Sequence, residues 1–318
     1  MIVPQPQLAL VLGSGGVRSV AALGIAEVLG EAGYAPDLVA GCSSGALFGA
    51  CIAMGWTGRE GLDAATRLWT AELTEQKRWR AWLELLAPRW AGFDADFSLR
   101  DARLIRERID AAFGDARLED LPIPLRIATT VASTGAPFML DHGRVADAVR
   151  ASMALPFLFP SVEWQGRRLT DGVLTNPLPV SLATEARVVL TVGFRGALPR
   201  RVNRASRLVA QVTTTMINNL QRAQVCAAEA AGARLLHFEL DIDRRIGLWE
   251  TAAMPRLYEI GRQAAYARLP EIRRLFNGDS PRLLAKGDSQ EGRIDGHAIS
   301  IAGGRRVGRD VRESGLRG

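Results

Sequence analysis

Cysteine is scarce in this sequence, and long apolar runs are missing. The 318 residues include three cysteines, too few for a disulfide framework and without the C-x-x-C spacing of a metal site. They are Cys42, Cys51 and Cys226. No apolar stretch approaches the ~18 residues of a transmembrane helix, and no basic segment precedes the first apolar run, as it would in a signal peptide. These absences predict a protein of the reducing cytoplasm.

An excess of charge of one sign is also missing. Forty basic residues stand against 34 acidic ones, for a net charge of +6, and 47% of the residues are hydrophobic, as in an ordinary globular protein. No basic run is interleaved with aromatic residues, so nucleic acid is not an expected partner. Attraction to an anionic membrane surface is the functional use that the modest positive charge allows.

Short apolar segments alternate with segments of helical periodicity. Leu8–Leu12 and Leu38–Ala40 are predicted as buried strands, and the apolar spacing from Val17 to Leu29 predicts a helix between them. Further strands are predicted over 125–131, 138–140, 168–170, 187–192 and 235–240, and further helices over 46–54, 58–113 with breaks near Pro88 and Gly92, 204–231 and 255–276. This alternation predicts an α/β fold with a mostly parallel sheet covered on both faces.

The end of the chain differs in composition from the rest. Residues 277–318 contain nine glycines and no Phe, Trp or Tyr, so they can bury little apolar surface. We therefore expect one domain over residues 7–275, followed by a disordered Gly/Arg-rich tail over residues 276–318.

The strongest chemical signal is the pentapeptide Gly41-Cys42-Ser43-Ser44-Gly45, between a predicted strand and a predicted helix. A G-x-S-x-G sequence in that context is typical of a nucleophile elbow, in which the central serine occupies a sharp turn and projects its hydroxyl from the sheet. Gly41 and Gly45 leave room for the turn, and the following helix favours negative charge at the serine. Ser43 is the candidate nucleophile, Ser44 a candidate backbone donor to an oxyanion, and Cys42 a small buried residue.

A glycine-rich loop follows the first predicted strand. Its sequence is Gly13-Ser14-Gly15-Gly16-Val17-Arg18. The G-x-G-x-x-G dinucleotide fingerprint fails because Arg18 takes the place of the third glycine. Because the carboxyl ends of parallel strands share one edge of a sheet, this loop can meet Ser43, where the amides of Gly15 and Gly16 can bind an oxyanion. A turn that serves close packing alone is the alternative.

A serine nucleophile needs a base that accepts its proton. Asp171, followed by Gly172 at the end of a predicted strand, is the candidate, although the dipeptide alone is only a turn signature. An α/β-hydrolase triad of Ser43, Asp171 and His237 has the right chain order and is an alternative. Against that triad, only two predicted strands precede Ser43, and His237 lies inside a predicted apolar strand.

These three motifs, in this order, resemble the patatin-like phospholipase family of serine lipid acyl hydrolases. The family pattern is a G-G-x-[KR]-G loop, then G-x-S-x-G, then D-G-[GA], and the corresponding motifs here begin at Gly15, Gly41 and Asp171. The stretches 150–156 and 175–180 are also similar to the family. Three residues depart from the family. Ser14 replaces the first glycine of a triple-glycine loop, Ser19 the glycine after the arginine, and Val173 the small third residue of D-G-[GA]; Ser19 and Val173 add bulk.

The resemblance implies a three-layer α/β/α sandwich and a Ser–Asp dyad without histidine. Ser43 would be the nucleophile and Asp171 the base, while the amides of Gly15 and Gly16, supported by Arg18, would form the oxyanion hole. The implied substrate is a lipid carboxylic ester, with no metal or organic cofactor. A non-catalytic, acyl-binding or regulatory member of the same fold is a further alternative, motivated by Ser19 and Val173.

Five of the seven tryptophans lie between Trp56 and Trp90. Within residues 76–86, positions 79, 82, 83 and 86 share one face of a helix. This pattern predicts an amphipathic helix packed on the core, with an interfacial helix that contacts a membrane as the alternative. We expect the protein in the cytoplasm. If the tryptophan-bearing helix is interfacial, we expect peripheral contact with the inner face of the membrane.

Overall fold

The computed structural model describes residues 5–69, 72, 97–199, 201–240, 242, 246 and 250–277. Within them, eight strands form one sheet. The strands are β1 Leu8–Leu12, β2 Leu38–Cys42, β3 Leu125–Val131, β4 Pro137–Leu140, β5 Val162–Trp164, β6 Arg167–Asp171, β7 Val188–Gly193 and β8 Leu235–Glu239. The α-helices are α1 Ala21–Glu31, α2 Ser44–Ala53, α3 Gly58–Leu68, α4 Arg103–Phe113, α5 Val145–Ser152, α6 Ala205–Ala230 and α7 Met254–Asn277.

The sheet is mixed and mostly parallel. Its strands follow the order β5-β6-β3-β2-β1-β7-β8, and β4 also pairs with β3. The five strands from β3 to β8 along this order are parallel to one another, whereas β4, β5 and β6 pair antiparallel. Parallel strands are buried on both faces, which is why β1, β2 and β7 are nearly continuous apolar runs in the sequence.

Helices cover both faces of the sheet. On β1, the alternate residues Leu8, Leu10 and Leu12 pack into a large core with six helices, α1 to α5 and α7. The intervening Ala9 and Val11 pack on the opposite face, against the carboxyl-terminal end of α6. This alternation confirms the predicted three-layer α/β/α sandwich.

Most predicted elements lie where the sequence places them. Two short elements were not predicted, α5 and the three-residue β5, and a 3-10 helix over Gly16–Val20 precedes α1. The tryptophan-bearing segment 76–86 and the predicted tail beyond residue 277 lie outside the described residues. None of the described helices is both long enough and apolar enough to cross a lipid bilayer.

Strand register brings the predicted motifs to one place. Leu12 pairs with Gly41, so the loops that follow β1 and β2 leave the sheet side by side. Cys42 pairs with Ala128, and the next residue of β3, Thr129, pairs with Asp171. Although β6 runs antiparallel to β3, it therefore ends beside the residue that follows β2, which is Ser43.

Candidate active site

A hydrogen bond joins the two side chains that the motifs single out. Ser43 Oγ donates to Asp171 Oδ2 at 2.8 Å. Asp171 is 2% exposed, at the end of β6, whereas Ser43 is half-buried and opens toward a cavity. The distance is within the reach that proton transfer from a nucleophile to a base requires.

Ser43 has the strained backbone of a nucleophile elbow. Its φ of 55° and ψ of −124° lie in a region that residues with a side chain rarely adopt. The turn closes tightly: a Cβ at Gly45 would lie 2.4 Å from the carbonyl oxygen of Leu12, and one at Gly41 would lie 2.6 Å from that of Gly45. Neither position could accept a side chain without moving the backbone.

A serine far along the chain holds this turn in place. Ser152 Oγ accepts a hydrogen bond from the Ser43 N–H at 2.8 Å and donates to the carbonyl oxygen of Ala128 at 2.7 Å. Ser152 is fully buried at the end of α5. This role of Ser152 is not evident from the sequence. Residues 150–156 are similar to the patatin-like family, but that similarity assigns no function to any of them.

The buried carboxyl group of Asp171 receives three side-chain or backbone donors. Besides Ser43, the Val173 N–H donates to Oδ1 at 2.9 Å, and the Cys42 thiol lies 3.9 Å from Oδ1 as a weak donor. Burial raises the pKa of Asp171 to about 7, although all three hydrogen bonds act in the opposite direction. Burial also raises the pKa of the Cys42 thiol well above its usual value, and the neighbouring Asp171 adds to that shift.

Arg18 fixes the orientation of one peptide group in the glycine-rich loop. Its Nε donates to the carbonyl oxygen of Gly15 at 3.2 Å, and one terminal nitrogen donates to that of Arg195 at 3.0 Å. In a trans peptide, the N–H points away from the C=O. Because Arg18 holds the Gly15 carbonyl, the N–H of Gly16 points the other way, and it donates to no other group in the described residues.

The other predicted loop donor is occupied. The Gly15 N–H donates to Ser44 Oγ at 3.0 Å, and Ser44 Oγ lies 2.9 Å from Ser19 Oγ, which in turn donates to the carbonyl oxygen of Gly13. This chain of buried hydroxyls joins the loop to the elbow. Ser19 therefore has a bonding partner on each side, and Gly16 carries the loop amide that has no partner among the described residues.

A cavity of about 460 Å³ opens over the Ser43 hydroxyl. That volume falls within the ~300–1,000 Å³ range of small-molecule sites. Its walls are largely apolar and include Trp69, Leu155, Phe159, Val173, Phe194, Val209 and Ile217, together with the loop residues Ser14, Gly15, Gly16 and Arg18. Val173, a departure from the family pattern, thus forms part of the wall.

His237 stands apart from this constellation. It lies on β8, where its Nδ1 is 2.8 Å from Thr191 Oγ1, and it does not line the cavity above Ser43. The structure thus brings Ser43, Asp171, Gly16 and Arg18 together, but does not bring His237 to them. No group of three His, Cys, Asp or Glu residues in the described ranges could hold a metal ion.

Comparison with known proteins places the chain in a family. The profile of the patatin-like phospholipase family matches residues 10–184, which carry all three motifs. The chain belongs to the patatin-like phospholipase family. Its α/β/α sandwich is therefore the patatin-like fold, and the resemblance seen in the sequence is confirmed.

Several curated proteins are similar in sequence to this chain. An uncharacterized NTE family protein of Mycobacterium tuberculosis is 31% identical over 238 residues, which cover 73% of this chain and 60% of that protein. The neuropathy target esterase sws of Drosophila melanogaster is 32% identical over 180 residues, 55% of this chain and 12% of that protein. This chain thus spans less than two thirds of the length of either relative. Among solved structures, VipD from Legionella pneumophila has a TM-score of 0.45 at 14% identity, over 87% of this chain and 68% of that one.

Removal of the Ser152 hydroxyl tests how the elbow is held. Ser152→Ala removes the acceptor of the Ser43 N–H and the donor to the buried carbonyl oxygen of Ala128, and an unsatisfied buried group costs about 1–3 kcal/mol. We expect the free energy of unfolding, measured by urea denaturation, to fall by that amount. The matched control is Thr66→Ala, whose exposed hydroxyl bonds within α3, and which should change stability by less than about 0.5 kcal/mol. Equal stability of the two variants would contradict the role given to Ser152.

Proposed function

We propose that this protein hydrolyses carboxylic esters of lipids through a Ser43–Asp171 dyad and an acyl-enzyme. The observation that carries the proposal is the 2.8 Å hydrogen bond from Ser43 Oγ to a buried carboxyl group at the floor of an apolar cavity. Membership of the patatin-like phospholipase family supports a lipid acyl ester as the substrate class. The fly relative is named as an esterase, which is in keeping with the same chemistry.

The reaction follows from the positions of these groups. Asp171 Oδ2 accepts the hydroxyl proton while Ser43 Oγ attacks the ester carbonyl carbon, and the negative charge on the carbonyl oxygen meets the Gly16 N–H and the amino end of α2. Asp171 then returns the proton to the leaving alcohol as the ester C–O bond breaks. Water, activated by the same carboxylate, releases the fatty acid and restores the Ser43 hydroxyl. No step uses a metal or an organic cofactor.

Two alternatives have less support. The triad alternative needs His237 between Ser43 and Asp171, whereas the Ser43 hydroxyl bonds directly to Asp171 and His237 contacts Thr191. The non-catalytic alternative was motivated by Ser19 and Val173. Ser19 connects the loop to the elbow, and the Val173 N–H bonds to the Asp171 carboxylate, so both residues fit a working site.

An exposed apolar stripe borders the cavity and is the feature we assign to membrane contact. Leu208, Val209, Val212 and Met216 share about 100° of the surface of α6 at 3.6 residues per turn. They are 50–66% exposed, an unusual degree for four apolar neighbours. Val209 also lines the cavity over Ser43, so the stripe begins at the edge of that cavity.

Charge selects an anionic bilayer as the surface that this stripe would meet. Three exposed arginines accompany its amino-terminal end, Arg201, Arg204 and Arg207, and the chain has a net charge of +6. Basic residues beside an apolar helix face favour binding to anionic lipid headgroups. A docked helix would place the cavity at the surface from which a lipid ester must leave the bilayer.

The dyad predicts the effect of replacing either partner. Ser43→Ala should lower kcat/KM on a panel of phospholipids, lysophospholipids, triglycerides and simple esters by about 10³-fold or more, and Asp171→Asn by about 10²–10⁴-fold, as for loss of a general base. Ser181→Ala and Asp120→Asn, at exposed positions, are matched controls that should retain activity. Near-total loss in His237→Gln, with the fold intact, would instead establish the triad.

The raised pKa of Asp171 predicts the pH dependence of the rate. The ionised carboxylate is the proton acceptor, so kcat/KM should fall about tenfold for each pH unit below its pKa and level off above about 7. Circular dichroism over the same range would separate loss of ionisation from unfolding. A midpoint near the ordinary carboxyl pKa of about 4 would contradict a buried Asp171 as the base.

The stripe on α6 predicts a loss of membrane binding without loss of the fold. The double variant Leu208→Ser and Met216→Ser should sediment with anionic vesicles about tenfold or more weakly, because two exposed apolar side chains no longer enter the lipid. Met139→Gln, an exposed change on β4 away from the cavity, is the control. Binding that is insensitive both to the double variant and to added salt would refute the assignment.

A further inference from the structure

A second cavity lies behind the glycine-rich loop, between α6 and the carboxyl ends of β7 and β8. It has a volume of about 160 Å³. Its polar lining includes Arg18, Arg195, Gln221, Arg222 and His237. No part of the reaction proposed above uses this space. Most of its lining residues differ from those of the cavity over Ser43.

Positive charge collects around this cavity without a counter-charge. Arg18, Arg195 and Arg222 line it, no acidic residue among the described ones does, and none of the three guanidinium groups forms an ion pair with a described carboxylate. Arg18 is 7% exposed, and burial lowers the pKa of its guanidinium group. Charged groups this deeply buried are ordinarily paired.

A buried amide donor without an acceptor points to the same space. Gln221 is 6% exposed and lines the cavity, yet its side-chain Nε2 has no hydrogen-bond partner in the described structure. Buried polar groups are nearly always satisfied, and rotation of this side chain would bring its amide to an acceptor held in the cavity that Gln221 lines. Arginines contribute fixed forks of N–H donors to the same wall, and such donors match the oxygens of a phosphate.

We propose that this cavity binds a phosphate group. Arg195 and Arg222 would contact its oxygens from the exposed mouth, and the Gln221 amide from the buried side. Two sources supply this chemistry: the headgroup of a phospholipid whose ester lies at Ser43, and a small phosphorylated solute. Only the headgroup source rests on the proposed hydrolase function.

The position of this cavity would allow a bound phosphate to influence the catalytic site through residues that border both cavities. Arg18, Phe194 and Asn218 border both cavities. Arg18 also holds the Gly15 carbonyl, and through that peptide the direction of the Gly16 N–H. A phosphate beside Arg18 would therefore favour the arginine position that keeps the Gly16 N–H directed at an oxyanion.

Calorimetric titration with inorganic phosphate tests the site directly, without catalysis. We expect saturable binding to the wild-type protein, weakened about tenfold or more by Arg222→Gln and by Gln221→Leu. Arg234→Gln removes the same charge from an exposed position outside the cavity and should leave binding within about twofold. Equal weakening by Arg222→Gln and Arg234→Gln would overturn the proposal in favour of general charge attraction.

The absence of saturable phosphate binding to the wild-type protein would also overturn the proposal.

A second arm of the experiment identifies the source of the phosphate. On short-chain phosphatidylcholine and the neutral diacylglycerol of the same chain length, a headgroup site predicts that Arg222→Gln raises KM for the phospholipid about tenfold relative to the neutral ester. Phosphate binding without this change in relative KM would assign the site to a soluble phosphorylated ligand. If the wild-type protein hydrolyses none of the esters in the panel above but still binds phosphate, the hydrolase function fails and the phosphate site stands.

Discussion

The hydrogen bond between Ser43 and Asp171 depends on burying a carboxyl group inside an α/β sandwich. A carboxylate with 2% exposure is costly unless donors surround it. The structure supplies them from three neighbours, the Ser43 hydroxyl, the Val173 N–H and the Cys42 thiol. Burial still dominates and raises the pKa of Asp171 to about 7, which is the range in which a carboxylate can both accept and return a proton near neutral pH.

The surrounding structure holds Ser43 where this hydrogen bond can form. A serine with a φ of 55° is strained and persists only where its neighbours leave no alternative. Ser152 holds its N–H from α5, the glycines of the pentapeptide permit the close turn, and Ser44 and Ser19 connect that turn to the glycine-rich loop. Four segments far apart in the sequence therefore meet around one hydroxyl group.

The sequence is informative where a residue type is required by local geometry. Buried parallel strands are readable as apolar runs, and the glycines of the elbow are readable because no side chain fits there. The partner of Ser43 N–H was not predictable, since Ser152 stands 109 positions away in an ordinary alanine-rich helix. Nor could the sequence show that the Gly15 N–H bonds to Ser44, or that Arg18 acts through the Gly15 carbonyl, because both depend on side-chain directions set by packing.

The central claim, that Ser43 is an activated nucleophile, is tested most directly by mass spectrometry of the protein after reaction with a fluorophosphonate. This reagent modifies a serine hydroxyl that a neighbouring base has activated. The account predicts one adduct per chain, mapped to the peptide that contains Ser43, which is abolished in Ser43→Ala and strongly slowed in Asp171→Asn. A folded wild-type protein that stays unmodified, or an adduct that persists in Ser43→Ala, would contradict it.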